Sequence, residues 1–170
     1  MLPEGYKPAP RITEADKNNI IQTLDRKLPH RVYLALRPND EIGWTLPITD
    51  LNPMPTSKSH TLGGETFVDA VKRFIASNKM LKDMDIRCLS NCPMAVEAIP
   101  YNLETEKDKS ENGKYFGEKV FYMRVQYEEG QVGKVDKTIH DWGWLERSEM
   151  VDRVKTEKGE DASLFYHYML

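Results

Sequence analysis

The first 28 or so residues are polar and punctuated by Pro3, Pro8 and Pro10, with Pro29 closing the stretch. Proline fixes φ and lacks a backbone donor, so this composition predicts an extended arm. Inside it, ITEADKNNIIQTLDRKL, beginning at Ile12, is compatible with a short helix. Thr13 would supply the N-cap oxygen, Glu14 and Asp16 would place negative charge in the first turn, and Ile20, Ile21 and Leu24 recur at helical spacing. The run VYLAL at 32–36 is continuously apolar, as expected of a central strand covered on both faces. Trp44, Thr45 and Leu46 read as a second short strand stopped by Pro47. Residues 47–63, with Pro53 and Pro55, read as a connection.

A helix is predicted to start at Thr66, whose hydroxyl can pair with Asp69 three residues on, a variant of the capping box. Phe67, Val68, Val71, Phe74 and Ile75 then share one helical face, while Asp69, Lys72 and Arg73 point elsewhere. Strand-like segments follow at 86–89, 94–99 and 119–127, with the charged stretch YNLETEKDKSENGKYFGE at 101–118 read as an exposed hairpin loop. Glu128, Glu129 and Gly130 predict a turn. Residues 139–145, carrying Trp142 and Trp144 on one side of a strand, precede helices beginning near Arg147 and Ala162. The order of elements predicts a mixed α/β domain over residues 29–170, preceded by an arm with a short helix over residues 1–28. No internal repeat interrupts it.

Composition narrows the function. In 170 residues, 24 Lys and Arg face 27 Asp and Glu, which excludes a protein that grips nucleic acid over its whole surface and confines any RNA contact to a local patch. No run approaches the roughly 18 apolar residues that span a bilayer. The opening MLPEGYKPAP lacks the apolar core of a secretory signal and is poor in the Arg and Ser of an organellar presequence. Two cysteines, Cys88 and Cys92, are too few for a disulfide scaffold and supply only half a metal site, with His30, His60, His140 and His167 scattered. They are expected to be small buried residues near a strand.

Gly63, Gly64, Glu65 and Thr66 leading into an amphipathic helix, behind an apolar strand and a Trp-x-Leu-Pro element, resemble the Nudix family. That family's box, G-x5-E-x7-R-E-U-x-E-E-x-G-U with U apolar, sets glutamates along a helix. There they hold divalent metal, usually magnesium, for attack on a diphosphate. With Glu65 on the first box glutamate, Arg73 matches the arginine. Phe74 replaces the next glutamate, Ser77 and Asn78 replace the Glu-Glu pair, and Ser59 replaces the opening glycine. The resemblance therefore implies a Nudix-like mixed β-sheet sandwiched by helices with no metal site, no cofactor and no catalytic residue. Other candidate chemistry is weaker still. Ser59 and His60 have no acid partner, Glu128 and Glu129 read as a solvated strand end, and Trp142 with Trp144 as packing. Lys72 and Arg73 read as a solvated helix face.

The chain is most similar, within Nudix-like proteins, to the large-subunit protein family of mitochondrial ribosomes numbered forty-six. The match lies in segments 11–17 and 23–28, then 32–36, 44–47, and 64–66 with Ala70 and Arg73, and further in 117–122, 144–150 and 166–170. The TEADK and LDRKL pair is its most specific part, because it lies outside the Nudix domain and a hydrolase has no need of it. The resemblance implies a non-catalytic subunit near the central protuberance of the mitochondrial large ribosomal subunit, in the matrix. Its expected partners are neighbouring ribosomal proteins and, locally, ribosomal RNA, with no membrane and no small-molecule substrate. Residues 1–31 hold six cations, Lys7, Arg11, Lys17, Arg26, Lys27 and Arg31, against four acids, Glu4, Glu14, Asp16 and Asp25. Of these, Arg11, Lys17, Arg26 and Lys27 are the candidates to meet phosphate or acidic neighbours. The competing readings are a free-standing module that binds a nucleotide or RNA without cleavage, and a divergent hydrolase using carboxylates outside the box such as Glu97 or Glu128.

Overall fold

A computed structural model describes residues 10–52, 64–102 and 115–170. Pro3, Pro8, Pro53, Pro55, Ser59, His60, Gly63 and most of the charged 101–118 stretch lie outside these residues. In chain order the elements are α1 (Glu14–Lys17), β1 (Val32–Arg37), α2 (Phe67–Ser77), β2 (Met84–Cys88), β3 (Ala95–Pro100), β4 (Gly117–Tyr122), β5 (Val125–Gly130), β6 (Asp141–Glu146), α3 (Arg147–Lys158) and α4 (Glu160–Met169). Described strands pair antiparallel in three two-stranded sheets, β1 with β6, β2 with β5 and β3 with β4. The α/β class is as expected, but these pairs stand where one mixed sheet was anticipated. The chain divides into two compact units. One holds the described residues up to Ile48 with Asp136–Leu170, the other those between Thr49 and Val135.

In the first unit, the apolar run at 32–36 forms β1 and extends to Arg37. It runs in register with β6 from Val32 opposite Glu146 to Arg37 opposite Asp141. On its other edge Leu36 and Thr45 exchange two backbone hydrogen bonds of 2.8 and 2.9 Å. Being flanked on both edges, Ala35 and Leu36 are buried. The expected strand at 44–46 is only this single bridge, because Pro47 ends the ladder. α3 packs Met150 and Val154 onto this layer and α4 folds back along α3, burying Tyr166 and Met169. Completely covered side chains such as Leu145 and Met150 contribute on the order of 1.5–3 kcal/mol each.

The helix anticipated from Ile12 is one turn long. Thr13 caps it as read, with its hydroxyl accepting the Asp16 N–H and the Asp16 carboxylate accepting the Thr13 N–H. It stops at Asn18, and Asn19 adopts φ +51°, a left-handed conformation that asparagine tolerates and that turns the chain out of the helix. Ile20, Ile21 and Leu24 therefore share no helical face. Ile21 alone is buried, and its carbonyl accepts the Trp144 N–H at 2.7 Å. Gly143 makes this approach possible, since a Cβ there would lie 2.7–2.9 Å from the Ile21 side chain.

In the second unit, α2 begins at the expected Thr66 cap, with the Thr66 hydroxyl accepting the Asp69 N–H at 3.1 Å. Ala70 is its buried residue, α2 packs on β2, and the Phe67 ring lies 4.8 Å from that of Phe121 on β4. Met80, Leu81 and Met84 complete the core. The single strand expected over 119–127 is two, broken at Met123 and Arg124, so that β4 serves β3 while β5 serves β2. Glu128, Glu129 and Gly130 extend β5 instead of turning, and Gly130, at φ +103°, sits opposite Met84. Cys92 is exposed and Cys88 half-buried, against the expectation that both would be buried; both are free thiols.

Gly143→Ala should lower stability by about 1–3 kcal/mol through overpacking against Ile21. In urea unfolding, Ile21→Ala should cost less in that background than in the wild type; strictly additive losses would show that the two positions do not compete for the same space.

Candidate partner-contact surface

The two segments that single this chain out, TEADK and LDRKL, are stitched to each other. Asp16 accepts the Thr13 N–H through one carboxylate oxygen and the Lys27 N–H, at 2.9 Å, through the other, while the Thr13 hydroxyl donates to the Asp25 carbonyl at 2.6 Å. These backbone donors, Thr13 first and then Lys27, hold the Asp16 carboxyl below its ordinary value. Lys27 takes φ +50°. At this bend the neighbouring side chains part company, Arg26 going inward and Lys27 outward.

Arg26 is 2% exposed. Its guanidinium grips Glu149 with two parallel hydrogen bonds, Nη1 to Oε2 at 2.7 Å and Nη2 to Oε1 at 2.6 Å, and Nη1 also donates to the Trp144 carbonyl at 2.6 Å. Nε has no partner among the described residues. Glu149 is the third residue of α3 and accepts the Glu146 N–H at 2.9 Å, so one carboxylate both caps the helix and receives the arginine. Burial works to raise the Glu149 carboxyl, but the Arg26 hydrogen bond, the Glu146 N–H and the charges of Arg26 and Lys27 outweigh it and hold it below its ordinary value. Arg26 is correspondingly raised, chiefly by the hydrogen bond to Glu149.

The four cations read from the sequence thus separate. Arg26 is buried and held by Glu149 of α3, unlike the exposed cation anticipated; in a one-turn helix followed by a bend, adjacent charges need not share a solvated face. Lys17 is exposed but 2.6 Å from Glu14. Lys27 reaches Glu146 at 3.6 Å, and Arg11 is exposed beside a shallow cleft lined by Pro10, Leu28 and Pro29. The sequence reading missed three neighbours of this surface. His30 Nδ1 lies 3.2 Å from Glu146. Arg31 and Arg147 are exposed one step beyond the last ladder pair, Val32 with Glu146. Pairing the apolar run at 32–36 with the tryptophan strand would have brought Arg31 and Arg147 together.

The surviving box residues are occupied elsewhere. Arg73 donates through Nε to Glu65 Oε1 at 2.6 Å, and through Nη2 to Oε2 at 3.0 Å and to the Asp50 carbonyl at 2.7 Å, while Glu65 also accepts the Asn52 N–H at 2.9 Å. Arg73 is therefore not the solvated helix residue anticipated. The Arg73 hydrogen bond, then that from Asn52, holds the Glu65 carboxyl below its ordinary value. Of the carboxylates outside the box, Glu97 on β3 accepts the Tyr122 hydroxyl at 2.7 Å and Glu128 on β5 pairs with Arg87 at 2.8 Å; the two belong to different sheets. Among the described residues no three His, Cys, Asp or Glu are grouped to hold a metal ion. Trp144 is a core residue and Trp142 is half-buried.

No family model matches the chain. It is similar to large ribosomal subunit protein mL46 of Mus musculus, 28% identical over 154 residues that cover 86% of this chain and 47% of the relative. Against the same protein of Rattus norvegicus the identity is 28% over 154 residues, covering 86% of this chain and 48% of the relative. The chain spans about half the length of these relatives.

Glu149→Gln leaves a covered guanidinium without its counter-charge and should cost about 3–5 kcal/mol, whereas replacing both partners by apolar residues of similar volume should recover most of that loss. Because the folded Glu149 carboxyl lies below the unfolded value of about 4.3, the pair stabilises fully above that pH. Its contribution declines as pH falls toward the folded value and is absent below it. Acid unfolding followed by circular dichroism should show this loss as pH falls below the unfolded value of about 4.3 in the wild type and not in E149Q; identical profiles would refute it.

Proposed function

We propose that this chain is a structural, non-catalytic constituent of the mitochondrial large ribosomal subunit, acting in the matrix in support of mitochondrial translation. The observation that carries this is the similarity to large ribosomal subunit protein mL46 along 86% of the chain. The same reading takes residues 29–170 as a degenerate Nudix-like domain and residues 1–28 as an extension docked to it, near the central protuberance and beside other ribosomal proteins. Two features support it. Glu65 and Arg73 act as a staple between the 50–52 segment and α2, which engages both oxygens of the Glu65 carboxylate, the group that a metal for diphosphate hydrolysis would need. Large apolar side chains on both sides of the first unit's sequence are bare, Ile12 at 65% and Tyr168 at 82% exposed, as suits a chain covered by neighbours in an assembly.

A tagged chain in mitochondrial lysate should travel with the large ribosomal subunit through a density gradient, and remain with it after EDTA separates the two subunits. Recovery only at the top of the gradient, with an internal-loop tag giving the same result as a terminal one, would overturn the assignment. Purified chain with magnesium should release no phosphate or nucleoside monophosphate from nucleoside diphosphate derivatives above the uncatalysed rate.

A further inference from the structure

We propose that the cations gathered where β1, β6 and α3 meet form a contact surface for the phosphate backbone of RNA; this deepens the ribosomal reading above and rests on it. The ladder between β1 and β6 ends at Val32 opposite Glu146, so Arg31 and Arg147 follow at the same end of the sheet. Both are exposed, and neither has an ion pair among the described residues. Like charges brought to facing strand ends repel each other, an arrangement that an anion between them would relieve. Around the same point stand Lys27, 3.6 Å from one oxygen of Glu146, and His30, 3.2 Å from the other. Glu149, the next carboxylate, is taken by Arg26. Among the described residues, Glu146 is thus already engaged by Lys27 and His30, while Arg31 and Arg147 have no ion pair to offset them.

The chemistry of these groups selects the partner. Guanidinium forks match phosphate oxygens in two-point contacts, and a pair of them side by side suits successive phosphates along one strand. Lys27, Arg31 and Arg147 offer positive charge to phosphate oxygens, so the surface fits the backbone, whose contacts position a strand without reading its sequence. A lone protein carboxylate would answer only one of the two arginines.

Binding of the full-length chain to a fluorescent RNA hairpin, followed by anisotropy between about 50 and 200 mM salt, tests this. The logarithm of the binding constant should fall with the logarithm of salt with a slope of about −2 or steeper, as expected for two or more phosphate contacts. Arg31→Gln and Arg147→Gln should each reduce the slope by about 1. Lys17→Gln, whose amine is held by Glu14, should leave it unchanged. Urea unfolding of the arginine variants should match or exceed wild type, so weakened binding is not lost folding. Absent or salt-independent binding, or slopes unchanged in both arginine variants, would overturn the proposal. Tighter binding of a glutamate-rich peptide that the same variants abolish would overturn it in favour of an acidic protein. Gradient sedimentation separates this from the ribosomal reading. Wild-type chain that travels with the large subunit but binds the hairpin no better than the doubly substituted chain defeats the surface alone. Chain that binds the hairpin through these arginines yet never travels with the subunit defeats the ribosomal reading.

Discussion

A buried arginine gripping one carboxylate organises the first unit. Burying two charges costs desolvation energy that their attraction only offsets when the geometry is good and the remaining donors are satisfied. Arg26 and Glu149 meet the condition on geometry with two parallel hydrogen bonds, and the Trp144 carbonyl takes a further donor from Nη1, while Nε has no partner among the described residues. The pair brings together the LDRKL segment, the end of β6 and the first turn of α3, three stretches with no sequence proximity between the first and the last two. An apolar contact of equal area would hold them, but it would not specify which residue enters. A planar guanidinium facing one carboxylate does, and this accounts for the LDRKL segment accompanying the helix start at 146–149.

The TEADK segment has its explanation in the same place. Asp16 accepts the Lys27 N–H next to Arg26, and Thr13 donates to the Asp25 carbonyl before it. The one-turn helix is too short to be stable alone. It persists because it closes a loop whose other side is pinned by Arg26 and by Ile21 under Gly143. The arm is therefore a folded part of the first unit wherever it is described, not a tether. In the second unit a similar device recurs, with Arg73 and Glu65 fastening residues 50–52 to the start of α2.

Much of the local structure was legible in the sequence because it depends on neighbours along the chain. The Thr13 and Thr66 caps, the strand at β1, of which only Ala35 and Leu36 are buried, and the start of α3 at Arg147 all follow from local hydrogen bonding or periodicity. The length of α1 was not legible, since the decisive event is Asn19 entering a left-handed conformation, after which the chain returns so that the Lys27 N–H meets the Asp16 carboxylate. Nor was the break at Met123 and Arg124, where a continuous β-rich run supplies two different partners. Periodicity reports which face a residue occupies within its element and is silent on which element it meets. For the same reason Arg26 was read as a surface cation although nothing in LDRKL distinguishes it from Lys27.

Charge counting along the sequence misjudges this surface in both directions. Of the cations in residues 1–31, three are committed internally: Arg26 is covered, Lys17 answers Glu14, and Lys27 shares Glu146 with His30. Among the described residues, Arg31 remains exposed and without an ion pair near the sheet end, and its companion Arg147 comes from the other end of the chain through strand pairing. A net charge of −3 for the whole molecule is thus compatible with a local positive surface, because that total does not say where the fold leaves its cations. The quantity that matters for recognition is the charge left after the fold has made its own pairs, and here strand register decides it.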